Sequence, residues 1–82
     1  MKIYWDKKSK NLIGPQIKKL RKERHLTQKE LAIQLQLLGY DCNDLTILRI
    51  EQQSRFVSDI ELLALSQLFN VDIIELYPPE EL

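Results

Sequence analysis

Along most of this chain, apolar residues recur three and four positions apart, the spacing that places them on one face of an α-helix. Ile13, Ile17 and Leu20 begin the pattern, which resumes with Leu31 and Leu35 and continues close to the carboxyl end. No segment alternates apolar and polar residues for long, and only residues 3–5 have the composition of a short strand or arm. Because only two glycines and three prolines interrupt 82 residues, the pattern predicts an all-α fold.

Residues that begin and end helices divide the pattern into five segments. Thr27 and Glu30 have the spacing of a capping box, in which each side chain accepts a bond from the backbone amide of the other residue. Ser58 and Glu61 repeat that spacing, and Asn43 is a favourable first residue for a third helix. Other boundaries are marked by Pro15, Gly39, Asp72 and Pro78. The signals predict a compact five-helix bundle over residues 11–77, an N-terminal arm over residues 1–10 and a C-terminal tail over residues 78–82.

The third of these helices, predicted over about residues 44–52, is the one whose faces suggest a function. Ile47 and Ile50 share the face expected to pack inward, whereas Leu48 and Arg49 lie on or near the opposite side. A short helix that is held from behind and free in front fits the major groove of DNA, which is about 12 Å wide. At the start of the preceding helix, free backbone amides beside Gln28 favour a phosphate.

The apolar and capping residues also fall into motifs that resemble a known family. The motifs are Ile13-Gly14-x-x-Ile17-x-x-Leu20-Arg21, Leu26-Thr27-Gln28-x-x-Leu31-Ala32, Ile47-x-x-Ile50-Glu51 and Leu62-x-x-Leu65-x-x-x-Phe69-x-Val71. Over about residues 11–77 they resemble the lambda-repressor-like (Cro/repressor-type) helix-turn-helix family of bacterial and phage transcription regulators. The resemblance implies a lambda-repressor-like DNA-binding domain with the helix-turn-helix at helices 2 and 3. It implies a sequence-specific transcriptional regulator, expected to be a repressor, that binds double-stranded DNA by inserting the helix around residues 44–52 into the major groove.

Within that resemblance, individual residues take on expected roles. Gln28 would contact a DNA phosphate, and Arg49 would read a base, since its guanidinium can bond guanine at two points. Arg21 and Glu51 occupy positions where family members form an ion pair between helix 1 and the end of helix 3. The full set of expected DNA-binding residues is Thr27, Gln28, Lys29, Asn43, Asp44, Leu45, Thr46, Leu48, Arg49 and Arg55.

Two features depart from the family's pattern. The connection of residues 36–42 is several residues longer than the family's short turn, so either helix 2 gains a turn or the loop bulges outward. The reading face carries Asp44, Leu45 and Leu48, although aspartate repels phosphate and leucine reaches only a thymine methyl group. Leu45 and Leu48 therefore remain candidates for packing against the core or a partner, and Arg49 for a surface ion pair with a nearby aspartate.

Charge is distributed unevenly, although basic and acidic residues number twelve each. Residues 1–29 hold ten basic and two acidic residues, a net charge of +8, and residues 30–82 hold two basic and ten acidic residues, a net charge of −8. This asymmetry suggests contact with nucleic acid or head-to-tail association of copies. The lysines of residues 7–22 are either a solvated face or a rim that follows phosphates.

The remaining chemistry excludes several classes of protein. A single cysteine, Cys42, and a single histidine, His25, exclude an internal disulfide and a four-ligand Cys/His zinc site. Neither a phosphate-binding Gly-rich loop nor a Ser/His/Asp set is present, so we expect no enzyme, no catalytic residues, no metal, no cofactor and no small-molecule substrate. The single cysteine favours a reducing, cytoplasmic setting, and because no apolar run approaches the roughly 18 residues of a membrane span, we expect no membrane contact.

Two expectations concern protein partners. The carboxyl-terminal third has more apolar residues than one helix face needs, and a patch of that kind on a small domain marks a contact surface. The surplus residues are Ile60, Leu63, Ala64, Leu68 and Ile74. We therefore expect a homodimer through the C-terminal helices, as members of the family commonly form.

The alternative to DNA binding is a protein-interaction module on the same fold, antitoxin-like or anti-repressor, that uses Leu45, Leu48 and the 37–40 loop.

Overall fold

The computed structural model describes residues 9–81, and this part of the chain is helical between short connections. Its α-helices are α1 (Gly14–Glu23), α2 (Gln28–Leu37), α3 (Asp44–Glu51) and α4 (Asp59–Phe69), followed by two short 3₁₀ turns, Ile73–Leu76 and Pro79–Glu81. No strand occurs between residues 9 and 81, so the all-α prediction is confirmed. None of these helices has the length and apolar content required to cross a membrane.

The predicted capping boxes form at the starts of α2 and α4. The Thr27 hydroxyl accepts from the amide of Glu30 at 3.0 Å, and the Glu30 carboxylate accepts from the amide of Thr27 at 2.9 Å. At α4, Ser58 and Glu61 make the same pair of bonds at 3.2 and 2.9 Å. These bonds satisfy amides that have no acceptor within their own helix, which is why the two helices begin where the spacing predicted.

All four α-helices end with a residue in the left-handed region of backbone conformation. These residues are His25, Gly39, Gln53 and Asn70, with φ of 56°, 96°, 61° and 55°. After α2, the amide of Gly39 donates to the carbonyl of Gln36 and the amide of Tyr40 donates to the carbonyl of Leu35, which is a Schellman motif. Equivalent bonds follow the other three helices. They give each helix a sharp end.

The core lies where α3 packs against α1 and α2, and α4 packs against the remaining side of α2. Each helix buries most of the apolar residues that its spacing placed inward, but Leu38, expected on the buried stripe of α2, lies beyond the end of the helix and is 49% exposed. Two surplus residues were misplaced, however: Ala64 is fully buried in this core, and Leu68 packs half-buried against it. The buried apolar residues are Ile13, Ile17, Leu20, Leu31, Ala32, Leu35, Ile47, Ile50, Ala64, Leu65, Phe69 and Leu76.

The structure has four α-helices between residues 9 and 81 where five were predicted. The predicted last helix is instead the 3₁₀ turn Ile73–Leu76, which buries Leu76 completely. The next residue, Tyr77, has an extended backbone with ψ of 146°, as expected for a residue that precedes a proline. Four residues form too few hydrogen bonds to offset the cost of nucleating an α-helix. The segment forms a single 3₁₀ turn instead, which the burial of Leu76 stabilises.

The two predicted chain ends are described in part. Residues 1–8 of the predicted arm lie outside the described residues, which begin at Ser9. Lys10 already belongs to the helical domain, because its amide donates to the carbonyl of Gln53 at 2.8 Å. At the other end, the predicted tail includes the 3₁₀ turn Pro79–Glu81.

Candidate nucleic-acid interface

The helix α3 has one buried face and one open face. Ile47 and Ile50 are buried where α3 packs against α1 and α2. Leu45 is 44% exposed, Arg49 is exposed as well, and Leu48 is half-buried between the two faces. Neither Leu45 nor Leu48 therefore belongs to the buried core.

The carboxyl end of α3 is held to α1 by a buried ion pair. The Glu51 carboxylate accepts from Arg21 Nε at 2.7 Å and from Arg21 Nη2 at 3.1 Å. The remaining guanidinium nitrogen, Nη1, donates to the carbonyl of Leu26 at 2.7 Å. The Arg21 and Glu51 side chains are only 10% and 3% exposed. The two residues that the resemblance paired are thus in contact, and their planar, two-point bonding fixes the orientation of α3 relative to α1.

Asn11, which the sequence analysis missed, holds the same end of α3 from a second direction. Its side-chain amide donates to the carbonyls of Ile50 and Arg55 at 3.2 and 2.8 Å, and its Oδ1 accepts from the amide of Gly14 at 2.8 Å. Gln53 Nε2 returns a bond to the Asn11 carbonyl at 3.0 Å. The available signal was an asparagine shortly before the start of a helix, because an asparagine side chain readily bonds backbone groups a few positions along the chain and so favours a turn.

Two backbone amides at the amino end of α2 have no acceptor within the helix and are available to an anion. The capping box uses the amides of Thr27 and Glu30, and the first intrahelical bond runs from the amide of Leu31 to the carbonyl of Thr27. The amides of Gln28 and Lys29 therefore have no acceptor within the helix, and they lie at the positive end of its dipole. The bond from the Thr27 amide lowers the pKa of Glu30, so a negative charge also lies at this end.

The side chain of Gln28 turns toward the protein, although a phosphate contact was expected for it. Its Nε2 donates to Glu51 Oε1 at 3.1 Å, which makes the ion pair of Glu51 with Arg21 a three-residue cluster. Gln28 is half-buried as a result. Its backbone amide and the exposed side chain of Lys29 are the groups left at this position for an anion.

The amino end of α3 carries three expected DNA-binding residues whose polar atoms already bond within the protein. Asn43 Oδ1 accepts from the amide of Thr46 at 3.0 Å, and the Thr46 hydroxyl accepts from the amide of Asn43 at 3.3 Å. The Asp44 carboxylate accepts from the amide of Leu45 at 3.0 Å. Their first role is therefore to start α3, which the sequence analysis assigned to Asn43 alone.

Arg55, which was expected near a phosphate, forms an ion pair with Glu61. Its Nη1 donates to Glu61 Oε2 at 2.7 Å and to the carbonyl of Phe56 at 3.2 Å. Burial acts to raise the pKa of Glu61, but the bonds from Ser58 and from the Arg55 guanidinium outweigh it, and the pKa lies below its ordinary value of 4.5. The pair is ionised at neutral pH, so much of the Arg55 charge is already balanced.

Arg49 is the cation of α3, and its surroundings differ from those of Arg55. It is exposed on the open face, in the last turn of α3. Within residues 9–81 its guanidinium pairs with no carboxylate, so the surface ion pair considered for it is absent from that region. Its charge and its five N–H donors are therefore presented to solvent beside Leu45.

The long connection between α2 and α3 is a turn followed by an extended segment. Leu37 ends α2 and is 82% exposed, and Leu38 after it is exposed as well. Gln36 Nε2 donates to the carbonyl of Cys42, and Cys42 Sγ donates to the carbonyl of Ala32 at 3.6 Å. These two bonds fasten the end of the connection back onto α2, and Cys42 packs half-buried there.

Comparison with known proteins gives no relative for this chain. No protein-family model, no curated protein and no solved structure matches it significantly. Within residues 9–81, no three His, Cys, Asp or Glu side chains are grouped to hold a metal ion. The geometry and chemistry of the helices therefore carry the functional inference.

Proposed function

We propose that this protein is a sequence-specific DNA-binding transcriptional regulator of the lambda-repressor-like helix-turn-helix type, with α2 and α3 as the helix-turn-helix. In this proposal α3 enters the major groove and the protein acts as a repressor by occupying its DNA site. The observation that carries the proposal is the open face of α3, where Arg49 is exposed without an ion pair within residues 9–81 while Ile47 and Ile50 are buried behind it.

Rigid support of α3 favours this function. A helix that reads base edges has to be held in one orientation, since hydrogen bonds weaken steeply when donor and acceptor are misaligned. The buried pair of Glu51 with Arg21 supplies that support from α1, and the bonds of Asn11 supply it from the preceding segment. The free amides at the start of α2 would then bind a phosphate at the edge of the groove.

Replacing Arg49 by alanine is expected to weaken binding to the preferred DNA site by about 1–3 kcal/mol and to relax the preference at one base pair. The side chain is exposed, so the variant should remain folded. The measurement is fluorescence anisotropy on a duplex selected from a random DNA pool with the parent protein.

Lys22→Ala is the matched control for this experiment. It also removes one exposed cation, but from the last turn of α1. Lys22→Ala should weaken selected and random duplexes equally, if at all, because a lysine on α1 would act through phosphates, which carry no sequence information. An Arg49→Ala protein that binds its selected site as tightly as the parent protein does would remove the proposed base-reading role.

The second candidate function is a protein-interaction module on the same fold, antitoxin-like or anti-repressor. The observation that favours it is the exposure of Leu37, Leu38 and Leu45, three leucines at or near the α2–α3 connection. A salt titration on random duplex DNA separates the two candidates. A DNA-binding protein loses affinity steeply as salt rises, whereas an interaction module binds the duplex little at any salt concentration.

We also propose that the DNA-binding form is a homodimer joined through the C-terminal helices. Ile60 and Leu63 are exposed on α4, and Ile74 is exposed on the 3₁₀ turn that follows it. A chain without net charge gains little affinity per copy from neutralised phosphates, so two linked copies would bind better than one. Light scattering at micromolar concentration should give twice the chain mass, and Leu63→Glu should return it to the single-chain value.

A further inference from the structure

A pocket of about 250 Å³ opens between α2, α3, α4 and the α2–α3 connection. Its interior is formed by core side chains, among them Leu35, Ile47, Ile50, Ala64 and Leu65. A cavity of about 150 Å³ with walls of this kind holds a benzene ring. The space is therefore large enough for an aromatic ring or a short alkyl group with a small substituent.

The charged residues that line this pocket are both acidic. Asp41 is exposed at the α2–α3 connection, Glu61 is half-buried on α4, and no lysine, arginine or histidine lines the pocket within the described part of the chain. The thiol of Cys42, between them, is sensitive to this charge. Burial raises its pKa first, the negative charges of Asp41 and Glu61 raise it further, and the Arg55 guanidinium offsets part of this increase.

Most polar side chains that line the pocket already form hydrogen bonds or ion pairs within the protein. The Thr46 hydroxyl donates to Asn43 Oδ1 at 3.2 Å, the Ser58 hydroxyl accepts from the amide of Glu61, and Glu61 itself pairs with the Arg55 guanidinium. Asp41, in contrast, takes part in no ion pair with any residue between 9 and 81. Its carboxylate is thus the lining group left to bind a charge that a ligand brings.

We propose that this pocket binds a small organic amine, with an apolar body against the core side chains and an ammonium group at the Asp41 carboxylate. An apolar interior with a few polar groups that fix orientation is the usual composition of a small-molecule site. An anionic ligand would meet the Asp41 carboxylate, whereas the nearby Arg55 guanidinium is already paired with Glu61. The proposal does not rest on DNA binding, because the α3 side chains that form the pocket interior, Ile47 and Ile50, lie on the buried face of that helix.

The test is an NMR titration of the ¹⁵N-labelled protein with three ligands that share one ring. 2-Phenylethylamine is the cation, 2-phenylethanol is neutral and 3-phenylpropanoate is the anion. We expect saturable shifts of the amides of Leu35, Tyr40, Thr46 and Ala64 with the amine, and none at Lys19 or Val71 on the other side of the bundle. The amine should bind about threefold to fivefold more tightly than the alcohol, as for a partly exposed ion pair, and the anion least tightly.

Asp41→Asn tests the charge, with Glu80→Gln as the matched control. Asp41 is exposed, so the variant should fold, and its affinity for the amine should fall to that for the alcohol while the alcohol binds as before. Glu80, which is exposed in the last 3₁₀ turn and does not line the pocket, should change neither affinity. Equal binding of the three ligands would overturn the amine assignment. Shifts confined to other residues, or no saturable shift below about 10 mM, would overturn the site itself.

Discussion

Replacing Glu51 by glutamine is expected to lower the free energy of unfolding by about 3–5 kcal/mol. The change preserves the size and shape of the side chain but removes the charge that faces the Arg21 guanidinium. Because both side chains are almost completely buried, the arginine charge would be left without a counter-ion in a region of low dielectric constant. A domain of 82 residues has a total stability on the order of 4–12 kcal/mol, so the loss is a large fraction of it. Equilibrium unfolding in urea measures the effect.

Two further variants separate the buried charge from other causes. Arg55→Gln breaks the more exposed pair with Glu61, and we expect that variant to lose less than about 1 kcal/mol. The double variant Arg21→Met, Glu51→Leu replaces both charges by apolar side chains, which is often neutral, so it should regain much of the stability lost in Glu51→Gln. If Glu51→Gln costs no more than Arg55→Gln, the buried pair does not stabilise the fold as inferred.

The second large effect is expected at Gly14, where alanine should lower the free energy of unfolding by about 2–3 kcal/mol. A β-carbon at Gly14 would collide with the carbonyl oxygen of Ile50, and it would lie 3.0 Å from the carbonyl oxygen of Glu51 and 2.9 Å from Cγ of Gln53. The two oxygens belong to the last turn of α3, so they move only if α3 separates from α1. In an exposed helix the same substitution stabilises by up to about 1 kcal/mol, so the expected sign is reversed here.

Gly39→Ala shows how much stability is lost to an unfavourable backbone conformation alone, without the steric collision expected at Gly14. Nothing lies within 4 Å of a β-carbon built on Gly39, but its φ of +96° is unfavourable for alanine. We expect a loss of about 1 kcal/mol from conformation alone. Urea unfolding of the two variants side by side is the measurement. A loss at Gly14 no larger than that at Gly39 would contradict the close approach of α1 to the end of α3.

The expected DNA-binding residues illustrate which parts of the site were accessible from the sequence. The helical period correctly placed Ile47 and Ile50 inward and Arg49 outward, because orientation within one helix follows from the 3.6-residue turn. The period did not reveal that Gln28 turns to Glu51 or that Arg55 pairs with Glu61. Both side chains carry N–H groups that can donate to a phosphate. Residue type alone does not show that these groups already donate to a carboxylate of the same chain.

The sequence by itself determined the four α-helices and most of their buried faces, since capping boxes and apolar spacing act between residues no more than about four positions apart. The starts of α2 and α4 after Thr27 and Ser58 belong to this part. Only the tertiary structure decided how α3 is supported and which polar groups stay available. The bond from Asn11 to the carbonyl of Arg55 spans 44 positions of the chain, and that from Gln28 to Glu51 spans 23. Contacts of that kind depend on the distances between packed helices, which no local spacing specifies.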